Sequence, residues 1–286
     1  MTGLADYGLG REEIALIPRR SVRRIYVIGD TDTGKTTLAD AIAKHLAPRF
    51  STAAADLAAG QASIGVPTTF GWQMLRPRGS RKPDGLFFTG STSPTRHLGE
   101  WLAGAARMVG EASERAAKVV IDTCGLACGE AGRELHHATV EVIRPRLVVA
   151  IERRDELSEL LAPFLRSGRP RVIRASAPAQ VRTRSRATRR SYRCGKLRAY
   201  FEHARELRFS LDEVGILRPR PDPAGRLASL RDESGRDVAL AIVQKYDSPK
   251  GTVTVLTPAP RRARVRAIVL GSMRIARDGR QLARNV

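Results

Sequence analysis

Gly29-Asp30-Thr31-Asp32-Thr33-Gly34-Lys35-Thr36 matches G-x-x-x-x-G-K-[ST] in full, and its flanks suit it. Residues 24–28 before it read as a short buried strand, and residues 37–46 after it read as an amphipathic helix. A strand, a glycine-bearing loop and a helix in that order commit the chain to an α/β arrangement. The loop works by wrapping an anion: glycines turn backbone N–H groups inward, and the helix N-terminus adds the positive end of its dipole. Gly29, Asp30, Thr31, Asp32, Thr33, Gly34, Lys35, Thr36 and Thr37 are therefore expected to cradle a nucleoside triphosphate. Lys35 is expected to reach the β- and γ-phosphates, and the Thr36 hydroxyl to hold Mg²⁺.

From residue 22 to about residue 163, strand-like runs at 24–28, 51–56, 118–122 and 146–152 alternate with helical patterns at 37–47, 95–117, 130–143 and 155–161. Such alternation predicts a parallel sheet with helices on both faces. Residues 76–85 interrupt it as an exposed basic, turn-forming loop. Residues 1–21 carry few core signals and read as a lead-in. After Asp212, strand-like runs at 227–230, 238–246, 252–257 and 263–270 are separated by turn signals, which predicts a small antiparallel module. The expected organisation is a lead-in at 1–21, a P-loop domain at 22–212 with an Arg-rich helical lid at about 166–208, and a β domain at 213–286.

Charge narrows the partners. Fifty basic against 29 acidic residues leave +21, which points first to nucleic acid and second to an anionic membrane surface. An Arg-rich genome would produce some of this excess. However, residues 166–208 hold 14 Arg or Lys against Glu202 and Glu206 alone, so +12 of the charge sits in one segment. No apolar run reaches the ~18–20 residues of a membrane span, and no signal-type stretch opens the chain. Three cysteines, Cys124, Cys128 and Cys194, are an odd count that argues against a disulfide framework. A zinc site at Cys124 and Cys128 with His136 and His137 is weighed against buried or loop thiols, and the thiols are preferred. The chain reads as soluble and cytoplasmic, with no membrane partner.

Asp122 ends the apolar run Val119-Val120-Ile121, which suits the second metal-coordinating position of a P-loop enzyme. Asp-Thr-Cys-Gly also matches the D-x-x-G of GTPases. The later segment Ile151-Glu-Arg-Arg-Asp155 lacks the guanine-reading N/T-K-x-D, which counts against that class. Asp56 is the only acid in the stretch after the second strand, and so is the candidate base for an acceptor hydroxyl. Gln61, Thr68, Thr69 and Trp72 are candidates to line the acceptor site, with Trp72 able to stack on a base.

The order of four segments is more specific. The phosphate loop, Gly60-Gln61 with Pro67-Thr68, Phe87-Phe88-Thr-Gly-Ser-Thr-Ser-Pro94 and Val120-Ile-Asp-Thr-Cys-Gly125 together resemble the polynucleotide 5′-hydroxyl kinase family. That family includes a pre-mRNA cleavage-complex subunit and a pre-ribosomal-RNA-processing kinase. Arg184 to Phe201 looks like the family's lid, and the C-terminal strands look like its last domain, so the resemblance covers about residues 22–280. It implies transfer of the γ-phosphate of ATP to the 5′-hydroxyl of RNA or DNA, with RNA ahead of DNA. It also implies that Arg189 and Arg193 match the lid's R-x-x-x-R, on one helix face and suited to clamping charge on the transferred group.

Two departures qualify the resemblance. Where the family commonly shows D-x-D-x-G-Q, this chain has Asp56, Ala58, Gly60 and Gln61, so the second carboxylate is missing. Asp56 or Asp32 is left to take its place. Twenty-one residues before Val22 are too few for the N-terminal β domain of eukaryotic members, which implies a shorter, prokaryote-like architecture. Two alternatives stand beside the kinase: an ATP-binding RNA-processing scaffold without turnover, and a small-molecule kinase.

Overall fold

Strands that are apolar on both faces need cover on both sides, and the order of elements provides it. The computed structural model describes residues 3–76, 82–260 and 264–282. Half of the basic loop expected at 76–85, residues 77–81, and the start of the strand expected at 263–270 lie outside the described residues, as do the two chain ends. A 3₁₀ turn at Leu4–Tyr7 and helix α1 (Arg11–Leu16) precede β1 (Arg24–Gly29), α2 (Lys35–Leu46), β2 (Thr52–Leu57), β3 (Thr69–Met74) and β4 (Gly85–Phe88). Then come α3 (Leu98–Arg115), β5 (Lys118–Thr123), α4 (Gly129–Ile143), β6 (Leu147–Glu152), α5 (Ser158–Ser167), β7 (Arg171–Ser176) and α6 (Arg186–Phe201). The rest is strand: β8 (Arg205–Ser210), β9 (Gly215–Leu217), β10 (Arg226–Arg231), β11 (Asp237–Asp247), β12 (Thr252–Thr257) and β13 (Ala267–Arg274).

The first sheet has the order β4-β3-β2-β5-β1-β6-β7. Strands β2, β5, β1, β6 and β7 run parallel, while β3 and β4 form an antiparallel edge. Alternation along β1 shows the two-sided cover. Tyr26 and Ile28 pack with residues of α3, α4 and α5, whereas Ile25 and Val27 pack with Leu38, Ile42 and Leu46 of α2. The residues read as a bare lead-in belong to this second layer: Leu4, Tyr7, Leu9, Leu16 and Ile17 are all buried there. Spread over a 3₁₀ turn and a helix of six residues, they leave no periodicity to detect.

The second sheet has the order β8-β12-β11-β10-β13-β9 and is antiparallel except for the β13–β9 pair. One face buries Ala228, Leu230, Val243, Val255 and Ile268. The other packs Leu227, Ile242 and Val269 against Phe88 at the end of β4 and against Leu197 and Phe201 of α6. The Asp237 carboxylate ties the two sheets, accepting from the Phe88 N–H at 2.8 Å and pairing with Arg231 at 2.8 Å. Helix α6 is thus anchored by its C-terminal turn, which leaves its N-terminal part to reach back over the phosphate loop.

The stretch 166–208 is not one basic lid. It contains the end of α5, the sheet strand β7, helix α6 and the start of β8. In β7, exposed Arg174 and Ser176 alternate with inward Ile173 and Ala175, as an edge strand should, and Arg171 at the strand start hides that pattern in the sequence.

His136 of α4 is buried beneath β1, where the Tyr26 hydroxyl lies 2.7 Å from its Nδ1. Burial depresses its pKa to about 3, so the folded imidazole is neutral. An unfolded histidine titrates near ~6.5. The unfolded chain therefore takes up a proton below that pH that the folded chain refuses. This contribution to stability is complete above pH ~6.5 and is lost as the pH falls towards 3, at up to ~1.4 kcal/mol per unit. Urea unfolding at pH 7.5 and 5.5 should show the wild type losing about 1.4 kcal/mol more than His136→Gln. Equal losses would contradict the assignment.

Candidate functional site

The loops after β1, β2 and β5 meet at one edge of the first sheet. Strand pairing sets their depth: Val27 of β1 lies opposite Asp122 of β5, and Asp122 lies opposite Asp56 of β2. The phosphate loop packs directly on the Asp-Thr-Cys-Gly turn. Thr31 Oγ1 donates to the Gly125 carbonyl at 3.1 Å, and a Cβ on Gly125 would stand 2.7 Å from the Thr31 Cα, so only glycine fits. Thr33 Oγ1 donates to the Asp30 carbonyl at 2.9 Å, and Thr37, one turn on, lies against the Tyr7 phenol.

Lys35 is only 7% exposed, and its ammonium donates to the Asp30 carbonyl at 2.5 Å. Burial lowers its pKa, opposed chiefly by the Asp122 carboxylate. Beside it, the Thr36 hydroxyl donates to Asp122 Oδ2 at 2.6 Å. Asp122 Oδ1 is buried and has no hydrogen-bond partner among the described residues. Burial, and then the Asp56 charge in the next strand, push the Asp122 carboxyl up to about 7. A hydroxyl, a carboxylate and an orphaned carboxylate oxygen are hard oxygen donors of the kind Mg²⁺ takes, so these residues fit that ion.

The acceptor side differs from the sequence expectation. Asp56 Oδ1 accepts from the Ala58 N–H at 2.7 Å, while Oδ2 accepts from the Ser63 N–H at 2.5 Å, the Ser63 hydroxyl at 2.7 Å and the Ile64 N–H at 3.0 Å. Four donors fill the roughly four lone-pair sites of a carboxylate. Asp56 therefore shapes the 58–64 loop and is not placed as a base. Asp56→Asn should lower unfolding stability by about 2 kcal/mol, because an amide N–H₂ faces some of those donors. If Asp56 only shapes this loop, any phosphate transfer at the site should weaken through KM rather than kcat. An unchanged stability with a ~10²–10⁴-fold fall in kcat would restore it as the base.

Trp72 is 2% exposed within the core, and its indole N–H donates to Glu111 at 3.1 Å, so it offers no face to a base. The Thr69 hydroxyl donates to the Val66 carbonyl at 2.7 Å and acts as a turn residue. Thr68 is different. It is buried with a left-handed φ of 76°, and its Oγ1 has no partner among the described residues. A β-branched residue in that conformation, with an orphaned hydroxyl, marks a position held for a ligand or by its surroundings. Gln61 is half-buried at the loop end. The loop closes on Ser-Thr-Ser-Pro, where a Cβ on Gly60 would stand 2.8 Å from the Thr92 carbonyl.

Helix α6 bridges the two sides. Arg189 pairs with Asp32 of the phosphate loop at 2.9 Å, and the Arg184 N–H donates to the same carboxylate at 2.8 Å. Arg153 donates to the Asp32 carbonyl. Asp32 is thus a tie between loop and lid, held at a left-handed φ of 56°, not a spare base. One turn on, the Lys196 ammonium and the Tyr192 hydroxyl reach the Ala62 carbonyl at 2.6 and 3.3 Å. Arg193 shares this face, between the two anchors. It makes no ion pair among the described residues, and burial, with Arg189 and Arg190 nearby, lowers its pKa. Lys196 and Tyr192 lie outside the site set expected from sequence, although their spacing from Arg189 is a usable signal.

Sheet order and the phosphate loop, with the Thr36–Asp122 pair beside Lys35, define a P-loop α/β protein. Within that class, the chain belongs to the family described as mRNA cleavage and polyadenylation factor CLP1 P-loop, whose model matches residues 29–203. A polyribonucleotide 5′-hydroxyl-kinase of Pyrococcus furiosus is 35% identical over 198 residues, which are 68% of this chain and 54% of the relative. One from Methanocaldococcus jannaschii is 31% identical, covering 68% of this chain and 54% of its own. The chain therefore spans about half the length of these curated relatives. A solved Clp1p–Pcf11p complex matches in fold with a TM-score of 0.67 at 14% identity, covering 88% of this chain and 74% of that chain.

Proposed function

We propose that the protein is an ATP- and Mg²⁺-dependent polynucleotide 5′-hydroxyl kinase, acting on RNA ahead of DNA. The observation that carries the reading is the Thr36–Asp122 pair with its orphaned carboxylate oxygen, set beside Lys35 in a phosphate loop that the Arg189–Asp32 pair ties to α6. The names of the archaeal relatives support the acceptor. Bound Mg²⁺ would be held by Thr36 and Asp122 and would neutralise charge on the β- and γ-phosphates. The chain's own groups do the rest. Lys35 draws the γ-phosphate into the loop, Arg193 meets the charge that develops on it, and the 58–64 loop with Thr68 positions the 5′ end.

Phosphoryl transfer proceeds through a loose transition state, in which positioning and electrostatics dominate. A site whose nearby carboxylates are committed to structure is therefore still able to work. The second reading, a scaffold that binds ATP without turnover, draws on the same fact: Ala58 replaces a carboxylate and Asp56 is saturated. A single-turnover assay with γ-labelled ATP and a 5′-hydroxyl oligoribonucleotide separates them. The kinase labels the oligonucleotide, whereas the scaffold retains ATP and labels nothing. Among the described residues no helix is long and apolar enough to cross a membrane.

A further inference from the structure

The phosphate loop lies at the C-terminal end of β1. At the opposite edge, the segments entering β1, β6 and β7 enclose an open cleft of about 480 Å³. Arg19, Arg144, Arg146, Arg169 and Arg171 line it, and no acidic residue does. All five are exposed, and none of their guanidiniums makes a hydrogen bond or ion pair among the described residues. Several arginines elsewhere have acidic partners: Arg76 with Asp84, Arg107 with Glu111, Arg174 with Glu152 and Arg231 with Asp237. What sets the cleft apart is that five such guanidiniums share one concavity whose lining holds no acidic residue.

We propose that this cleft binds the sugar–phosphate backbone of single-stranded nucleic acid, at a place remote from the phosphate loop. Six-residue strands separate the two ends of the sheet by roughly 20 Å, so a long strand reaches the cleft and a very short one held at the loop does not. Guanidinium forks match phosphate oxygens in pairs, which favours phosphate over other anions. The apolar lining residues Leu16, Val22 and Leu147 are buried, so the cleft lacks the exposed apolar anchors that a protein partner would use. With no aromatic lining, it has nothing to read or stack a base, and it fits backbone contact without sequence preference.

The test is equilibrium binding without ATP, so its outcome is independent of whether the chain transfers phosphate. Fluorescence anisotropy would compare 5′-hydroxyl oligoribonucleotides of about 20 and about 4 nucleotides against wild type and the variant Arg144→Gln/Arg146→Gln/Arg169→Gln/Arg171→Gln. The expected result is at least a tenfold loss of affinity for the long strand, and a salt dependence shallower by about 0.7 for each phosphate that is no longer neutralised. Affinity for the short strand and for ATP should not change. The four-lysine counterpart, which keeps the charge, should retain the wild-type salt slope. If the glutamine variant loses ATP binding, the pair Arg144→Gln/Arg171→Gln replaces it, with about half the change in slope expected. Unchanged long-strand affinity and slope would overturn the proposal. So would loss of binding to a polyglutamate peptide with none to the oligonucleotide, since that would assign the cleft to an acidic protein surface.

Discussion

Lys35→Ala should reduce label transfer from ATP by about 10²–10³-fold or more, while oligonucleotide affinity stays within about twofold. The ammonium is buried at the mouth of the loop, held by the Asp30 carbonyl and faced by the Asp122 carboxylate. It is therefore desolvated and oriented before nucleotide arrives, which makes it worth more at the γ-phosphate than a solvated lysine would be. The arginines proposed to contact an oligonucleotide lie on other elements, so its binding should not depend on Lys35. Rapid-quench transfer and anisotropy, run on the same preparation, check both halves. Retained transfer would remove the loop from the mechanism.

Arg193→Gln should lower kcat by about 10³-fold, the effect of removing an arginine that meets transition-state charge, with little change in KM for ATP. Arg189→Gln should behave differently. Arg189 is already paired with Asp32, so its loss releases α6 from the phosphate loop and should appear mainly in KM. The contrast follows from charge balance. Two arginines on one helix face look equivalent, yet Arg189 has its counterion in the protein and Arg193 makes no ion pair among the described residues. Steady-state kinetics on the two variants distinguish the roles, and equal kcat losses would refute the division.

The strand, loop and helix around Lys35 are legible in the sequence because each carries its own local signal: an apolar run, a fixed glycine–lysine spacing and a 3.6-residue period. So are Thr36 and Asp122, one following the loop lysine and the other closing an apolar strand. What is not legible depends on distant partners. Asp32 and Arg189 are 157 residues apart, and no spacing rule joins them. Asp56 reads as a base because it is the lone acid of its stretch. Only the turn that brings Ser63 and Ile64 back to it shows that its oxygens are filled. Trp72 reads as a stacking platform because β3, with Gly71 inside it, has no clean alternation. Once β3 pairs with β2 and β4, its indole turns into the core. In β7 the same failure comes from Arg171 at the strand start and Arg174 on the solvent face of an edge strand.

The central claim is that the γ-phosphate goes to a 5′-terminal hydroxyl. The most direct measurement incubates the intact chain with γ-labelled ATP, Mg²⁺ and one oligoribonucleotide in two forms, 5′-hydroxyl and 5′-phosphate, followed by nuclease digestion to locate the label. Label is expected only on the 5′-hydroxyl form, recovered entirely in its first nucleotide. ATP bound by the loop with no label on either form, or label on both, would contradict it.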